Sequence, residues 1–203
     1  FPAGEVGIKL PNDFNPRQDL KVWARLRNSD DIMKLIMVRN AIIESRGIYN
    51  NEWFKDRLVV PYIPYGRQDR ICNPGESFSL RAFAQIINSF KFNNVITYDI
   101  HSAQTTKEIH NCENLSNASL FLYALERIKP SNLLLIAPDK GAHNRVLNLT
   151  QYVGHPWGDT SLMVSAHKER DLETGKIISY TIDGDFTGKD CLICFMKYIH
   201  LKN

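Results

Sequence analysis

The stretch "NNVITYDIHSAQ", residues 93–104, decides how this chain is read. Val95, Ile96 and Thr97 suit a buried strand, yet the run ends on Asp99 and His101, with Ser102 and Gln104 just beyond. Alternate residues of an extended chain share a face. The spacing therefore predicts a carboxylate and an imidazole leaving a sheet together at its carboxyl end.

Working outward, the flanks alternate in character. Residues 28–47 (NSDDIMKLIMVRNAIIESRG) set Ser29 and two aspartates ahead of Ile32, Leu35, Ile36, Val38, Ile42 and Ile43, which predicts an N-capped helix with one broad apolar face, ended near Gly47. LVVPYIP (58–64) reads as a strand running into a polar turn, and a helix is expected over about Ser79 to Phe90. After DIHS a polar loop is expected through 116. From 117 a helix (ASLFLYALERI) stops at Pro130, and LLLIAPDKG (133–141) is again an apolar strand opening on an aspartate. Near-continuous apolar strands alternating with amphipathic helices indicate an α/β fold with mainly parallel sheets covered on both faces. The pattern occurs twice, which predicts two Rossmann-like domains, 1–114 and 115–203. Ligands of open α/β sheets sit outside the carboxyl ends of the strands, and that is where Asp99, His101 and Asp139 fall.

Bulk properties narrow the function. The chain has 203 residues, 43% of them apolar, and a formal charge of +3. This is a soluble globular composition with no polycationic character, so neither nucleic acid nor a membrane is expected as a partner, and a cytoplasmic location is the default. No signal peptide is evident. The four cysteines are too few and too scattered for a disulfide framework. Leu192 and Ile193 make CLIC (191–194) read as a buried strand rather than a redox motif. The chain opens on Phe1 rather than Met, which suggests a fragment or a processed chain.

Four segments carry chemistry. PYIPYGRQDR (61–70) places Gly66, Arg67, Gln68, Asp69 and Arg70 at a strand end, and the arginine fork matches phosphate oxygens. DIHS and APDKG bring His101 and Asp139, donors suited to Mg²⁺ that keeps several waters and is shared with phosphates. SAHKERDLETGK (165–176) reads as a loop or hairpin whose Lys168 and Arg170 would neutralise charge on a transferred phosphoryl group. FPAGE (1–5) offers Phe1 for stacking on a base and Glu5 to accept from an exocyclic amine. A GxxxxGK[ST] loop is absent from the sequence, so a nucleotide would be held another way.

FPAGE, PYIPYGRQDR, ITYDIHSAQ, LLLIAPDKGAHNRV, and HKERD followed by GDFTGK stand in the order found in ribose-phosphate pyrophosphokinases, and the chain resembles that family up to about Cys194, in the style of divergent phage-type members. The resemblance implies two phosphoribosyltransferase-type domains. It also implies transfer of the β,γ-pyrophosphate of ATP to the 1-hydroxyl of ribose 5-phosphate with release of AMP, a need for Mg²⁺, and assembly as homodimers or homohexamers. Carried over, Phe1 and Glu5 would hold adenine from a neighbouring subunit, Arg67, Gln68 and Asp69 would bind ATP, and His101 and Asp139 would sit at the Mg²⁺–ATP centre. Lys168 and Arg170 would stabilise the transition state. The same chemistry on ADP-ribose, feeding NAD synthesis, and a non-catalytic synthetase-associated homologue are the alternatives. A phosphoribosyltransferase proper is disfavoured. Three departures stand out: Ala3 replaces the family's usual Asp or Asn, ICNPGES leads differently into its helix, and Cys194 is followed by FMKYIHLKN where an acidic, Gly/Thr-rich sugar-phosphate loop is expected. The second domain is therefore expected to be incomplete, and the chain as written weakly active or inactive.

Overall fold

In the computed structural model, residues 2–47, 54–152, 163–171, 174, 176–182 and 184–194 are described. The backbone divides into two compact units, Phe1–Ser116 and Asn117–Asn203. No helix among the described residues is long and apolar enough to cross a membrane.

The first unit carries strands β1 (Lys21–Trp23), β2 (Arg57–Val59), β3 (Asn94–Tyr98) and β4 (Cys112–Leu115), and helices α1 (Ser29–Arg46), α2 (Ser79–Ser89) and α3 (Gln104–Glu108). The strands form one sheet in the order β1-β2-β3-β4, every pair parallel. α3 and β4 lie where the sequence suggested a polar loop. The segment is short and polar, and its hydrogen bonds rather than its periodicity define it; β4 alternates half-buried Cys112 and Leu115 around exposed Glu113 and Asn114.

α1 begins at Asn28, whose side chain accepts the Asp31 N–H at 2.9 Å, and ends at Gly47, where φ is +53°, a conformation glycine adopts without a Cβ penalty. The cap is one residue earlier than Ser29 suggested. The buried stripe also differs. Ile32, Leu35, Arg39, Ile42 and Arg46 are buried, whereas Ile43 is exposed. Two arginines occupy helix positions that face the core because a buried Asp56 lies between them. Asp56 Oδ2 takes Arg39 Nη1 and Arg46 Nη1, each at 2.6 Å, and Oδ1 takes Arg46 Nη2 at 2.9 Å and the Leu20 N–H at 3.0 Å. Three further guanidinium N–H groups donate to the carbonyls of Phe90, Pro16 and Gln18, and the two guanidiniums lie over the rings of Phe92 and Phe54. Buried charge is tolerable when it is paired and hydrogen-bonded in this way. Around this network Leu58, Val60, Leu80, Phe83, Ile87, Val95 and Ile109 form the core.

The second unit carries α4 (Ala118–Ile128), β5 (Leu133–Ala137), α5 (Lys140–Tyr152), β6 (Met163–Arg170), β7 (Ile177–Ile182) and β8 (Asp190–Ile193). Its sheet has the order β7-β6-β5-β8. β6 and β8 are parallel to β5, while β7 returns antiparallel to β6, so SAHKERDLETGK lies on a hairpin. β5 is buried along its whole length, as its apolar run requires. Leu133, Leu135, Ala137, Ala142, Val146, Leu149 and Cys194 make the core beneath α4 and α5.

CLIC is corrected in one respect. Among the described residues β8 pairs only with β5 and forms a sheet edge, with Leu192 and Cys194 facing the core and Cys191 and Ile193 exposed. Burial pushes the Cys194 thiol up to about 11, which suits packing and not redox exchange.

Candidate functional site

In the first unit the site grows from two neighbouring strand ends. β2 and β3 are adjacent and parallel, with Val59 opposite Ile96, so the segments that leave them emerge on the same edge of the sheet. After β2, Val60 and Ile63 are buried, with exposed Pro61 and Tyr62 between them, and the chain then turns sharply. Gly66 N–H donates to the Ile63 carbonyl at 3.3 Å and Gln68 N–H to that of Tyr65 at 2.8 Å. A Cβ at Gly66 would meet the Ile63 oxygen at 3.2 Å, so the turn favours glycine there. Tyr65, at φ +60°, leans its ring on Phe83 with centroids 5.9 Å apart. Leu80 N–H donates to the Gln68 carbonyl at 3.3 Å, which fastens the turn to the start of α2. Arg67 and Gln68 are left exposed to solvent at its tip.

The second segment overturns the alternation expected of DIHS. β3 stops at Tyr98, and Asp99 has φ +44°, a left-handed conformation that a non-glycine residue adopts only where its surroundings fix it. The Asp99 N–H still reaches Leu115 at 2.9 Å, but the chain then bends away. Asp99 and His101 therefore do not leave the sheet as alternate residues of a strand; His101 sits exposed on the bend. That bend is held by the Ile100 N–H on Asn114 Oδ1 at 3.0 Å and the Thr105 N–H on the Ser102 carbonyl at 3.1 Å.

Asp69 joins the two segments. Its carboxylate pairs with Arg70 through Nε at 2.9 Å and Nη2 at 3.1 Å and accepts the Ser102 hydroxyl. With its side chain only 7% exposed, it is turned into the structure. The Arg70 guanidinium, then Ser102 and the nearby His101, hold its carboxyl well below the usual carboxylate range. Asp69 thus bonds Arg70 on the segment after β2 and Ser102 on the segment after β3. Sequence reasoning had placed it with the nucleotide-binding groups and gave Ser102 no partner. The link between positions 69 and 102 has no local signal.

In the second unit the described strands reverse order at β5, which has β6 on one side and β8 on the other. Such a switch point opens a crevice at the carboxyl end of the strand, and Asp139 lies there. Asp139 is exposed, and its Oδ1 accepts the Ala142 N–H at 2.9 Å, which caps the first turn of α5. A Cβ at Gly141 would come within 3.2 Å of that oxygen. Lys168 and Arg170 are alternate residues near the end of β6. Lys168 stands opposite Tyr180, and Arg170 opposite Ile177 after a register shift. Two contacts were missed from the sequence: His143 Nδ1 and Ser165 Oγ lie 2.8 Å apart, and the Tyr180 hydroxyl donates to the Pro138 carbonyl at 3.1 Å.

Glu5 lies in the exposed segment before β1, and Phe1 falls outside the described residues, as do 195–203. The described residues contain no cluster of three or more His, Cys, Asp or Glu able to hold a metal ion.

No family model matches the chain. It is 26% identical over 195 residues to a ribose-phosphate pyrophosphokinase of Porphyromonas gingivalis, covering 95% of this chain and 58% of that protein. It is 28% identical to one of Thermococcus kodakarensis, covering 95% and 64%, and 30% identical over 156 residues to one of Methanopyrus kandleri, covering 76% and 51%. The chain thus spans between half and two thirds of the length of these relatives. Its fold matches the crystal structure of a phosphoribosylpyrophosphate synthetase from Mycobacterium smegmatis with a TM-score of 0.69, at 19% identity, over 95% of this chain and 59% of that one.

Proposed function

We propose that this chain, which belongs to the ribose-phosphate pyrophosphokinase family, provides the nucleotide-handling elements of an enzyme that transfers the β,γ-pyrophosphate of ATP to the 1-hydroxyl of ribose 5-phosphate. The observation that carries this reading is the parallel pairing of β2 with β3, from whose ends exposed Arg67 and Gln68 and exposed His101 emerge on the same sheet edge. A cationic fork, an amide and an imidazole at two adjacent strand ends make a receptor for a polyphosphate.

In the reaction the sugar hydroxyl oxygen attacks the β-phosphorus, the bridge from β-phosphorus to the α-phosphate oxygen breaks, AMP leaves with that oxygen, and the hydroxyl proton passes to solvent. The described donors fit Mg²⁺ brought in on the triphosphate rather than a resident ion. Among the described residues no three-ligand cluster exists, His101 and Asp139 are single exposed groups, and one Asp139 oxygen already caps α5. Bound there, Mg²⁺ would neutralise charge on the β- and γ-phosphates. Arg67 and Gln68 would hold phosphate oxygens and His101 would bond the phosphate, while by the family resemblance Lys168 and Arg170 would meet the charge that grows on the transferred group. Phe1 and Glu5 take the adenine, supplied across a homodimer or homohexamer. Where a sugar-phosphate cradle would follow Cys194, the sequence has FMKYIHLKN.

The test is AMP formation from Mg²⁺–ATP with ribose 5-phosphate or ADP-ribose. We expect little or no AMP from the chain as written and AMP with ribose 5-phosphate once an acidic, Gly/Thr-rich loop is restored after Cys194, and we expect Arg67→Ala to weaken ATP binding about tenfold or more through loss of a charge-assisted pair. AMP with ADP-ribose alone would change the acceptor. A folded protein that binds no Mg²⁺–ATP would refute the reading.

A further inference from the structure

We propose that Tyr180 is a positioning residue that makes the turn carrying Asp139 and the strand carrying Lys168 move as one piece. The inference rests on the function proposed above for its meaning, and on the second unit alone for its geometry. Tyr180 stands directly opposite Lys168 in the β6–β7 ladder. Its hydroxyl crosses to β5's end and donates to the carbonyl of Pro138 at 3.1 Å, the residue immediately before Asp139. One side chain therefore bonds the Asp139 turn while its backbone pairs with that of Lys168.

β7 needs such a bond because packing does little to hold it. None of its residues is buried; Ile177 and Ile178 are exposed, and Tyr180 itself is 49% exposed. A strand without buried side chains gains little from the hydrophobic effect, so directional bonds fix its placement. A second tie lies one layer away: Ser165, opposite Ala137 in the β5–β6 ladder, meets His143 Nδ1 at 2.8 Å. His143 belongs to the first turn of α5, the same turn whose Ala142 N–H is taken by Asp139. The Pro138–Asp139 turn is thus bonded from β7 on one side and through α5 to β6 on the other. Phosphoryl transfer depends on placement, and a misplacement of about 1 Å costs on the order of a hundredfold in rate.

The experiment compares Tyr180→Phe, which keeps the ring and removes only the hydroxyl, with its parent, both carrying an acidic, Gly/Thr-rich loop restored after Cys194 so that turnover can be read. Hydrogen exchange is read at Ala142 and Lys168, with Val95 in the other unit as control, alongside kcat and KM for ATP. The expected result is exchange faster by about fivefold or more at both Ala142 and Lys168, no change at Val95, and kcat lower by about tenfold or more with KM for ATP held within about threefold. A merely structural loosening would raise KM with the fall in kcat. Unchanged exchange, or a change at only one of the two amides, overturns the coupling, and coupled exchange with unchanged kcat overturns the positioning role. A wild-type chain that binds no Mg²⁺–ATP refutes the proposed function instead, and the exchange comparison still decides whether the two elements move together.

Discussion

Removal of the Asp56 carboxylate is the sharpest test of how the first unit is held together. Asp56→Ala leaves Arg39 and Arg46 buried without their anion, and it also strips the acceptor from the Leu20 N–H. Breaking a buried ion pair from one side costs about 3–5 kcal/mol. Here two guanidiniums are orphaned at side-chain exposures of 3% and below, so the upper part of that range, about 4–5 kcal/mol, is expected. Set against a total stability of roughly 5–15 kcal/mol for a domain, the variant should sit near the edge of folding. The assay is urea unfolding followed by far-UV circular dichroism, reading the midpoint at constant m.

The same carboxylate predicts a pH dependence. Burial raises the Asp56 pKa, but the bonds from Arg46 and Arg39 and the Leu20 amide outweigh it, and the net shift is downward. A depressed folded pKa contributes stability that is present above the unfolded value of about 3.9 and is lost as pH falls through the folded value. The wild-type midpoint should therefore fall on acidification below about pH 4, and Asp56→Asn should lack that part of the fall. Screening by salt should be small because the groups are out of water. A loss under about 1 kcal/mol for Asp56→Ala would refute the reasoning, since it would mean that solvent reaches the arginines.

Two further outcomes follow from buried groups. The Thr105 hydroxyl is buried with no hydrogen-bond partner among the described residues, so Thr105→Val should leave the urea midpoint unchanged or raise it by the equivalent of about 1 kcal/mol; a clear loss would mean that the hydroxyl is bonded after all. With its thiol pushed up to about 11 by burial, Cys194 should alkylate with iodoacetamide at pH 8 far more slowly than exposed Cys191 or Cys72. Mass spectrometry of partially labelled protein reads the order directly, and equal rates would overturn it.

The sequence by itself determined the elements whose signals are local. LLLIA is short and wholly apolar, as a buried strand should be, and the residues around 28–47 carry both a cap and a glycine stop, so β5 and α1 were legible, as was the alternating α/β pattern. The turns at GRQDR and DIHS were legible as polar ends of apolar strands. What the tertiary structure alone decided was pairing across distance. Arg39 and Arg46 look like solvated helix residues until Asp56, ten residues beyond the helix end, is placed between them. Asp99 looks extended until its left-handed φ turns His101 away from the strand face. Asp69 looks like a free ligand until Arg70 and Ser102 claim it, and Tyr180 looks like one more strand residue until its hydroxyl is found on Pro138. Periodicity reports which face a residue occupies within its own element. It carries no term for which residue of another element will stand opposite, and in this protein those opposite partners set both the buried charge and the geometry of the candidate site.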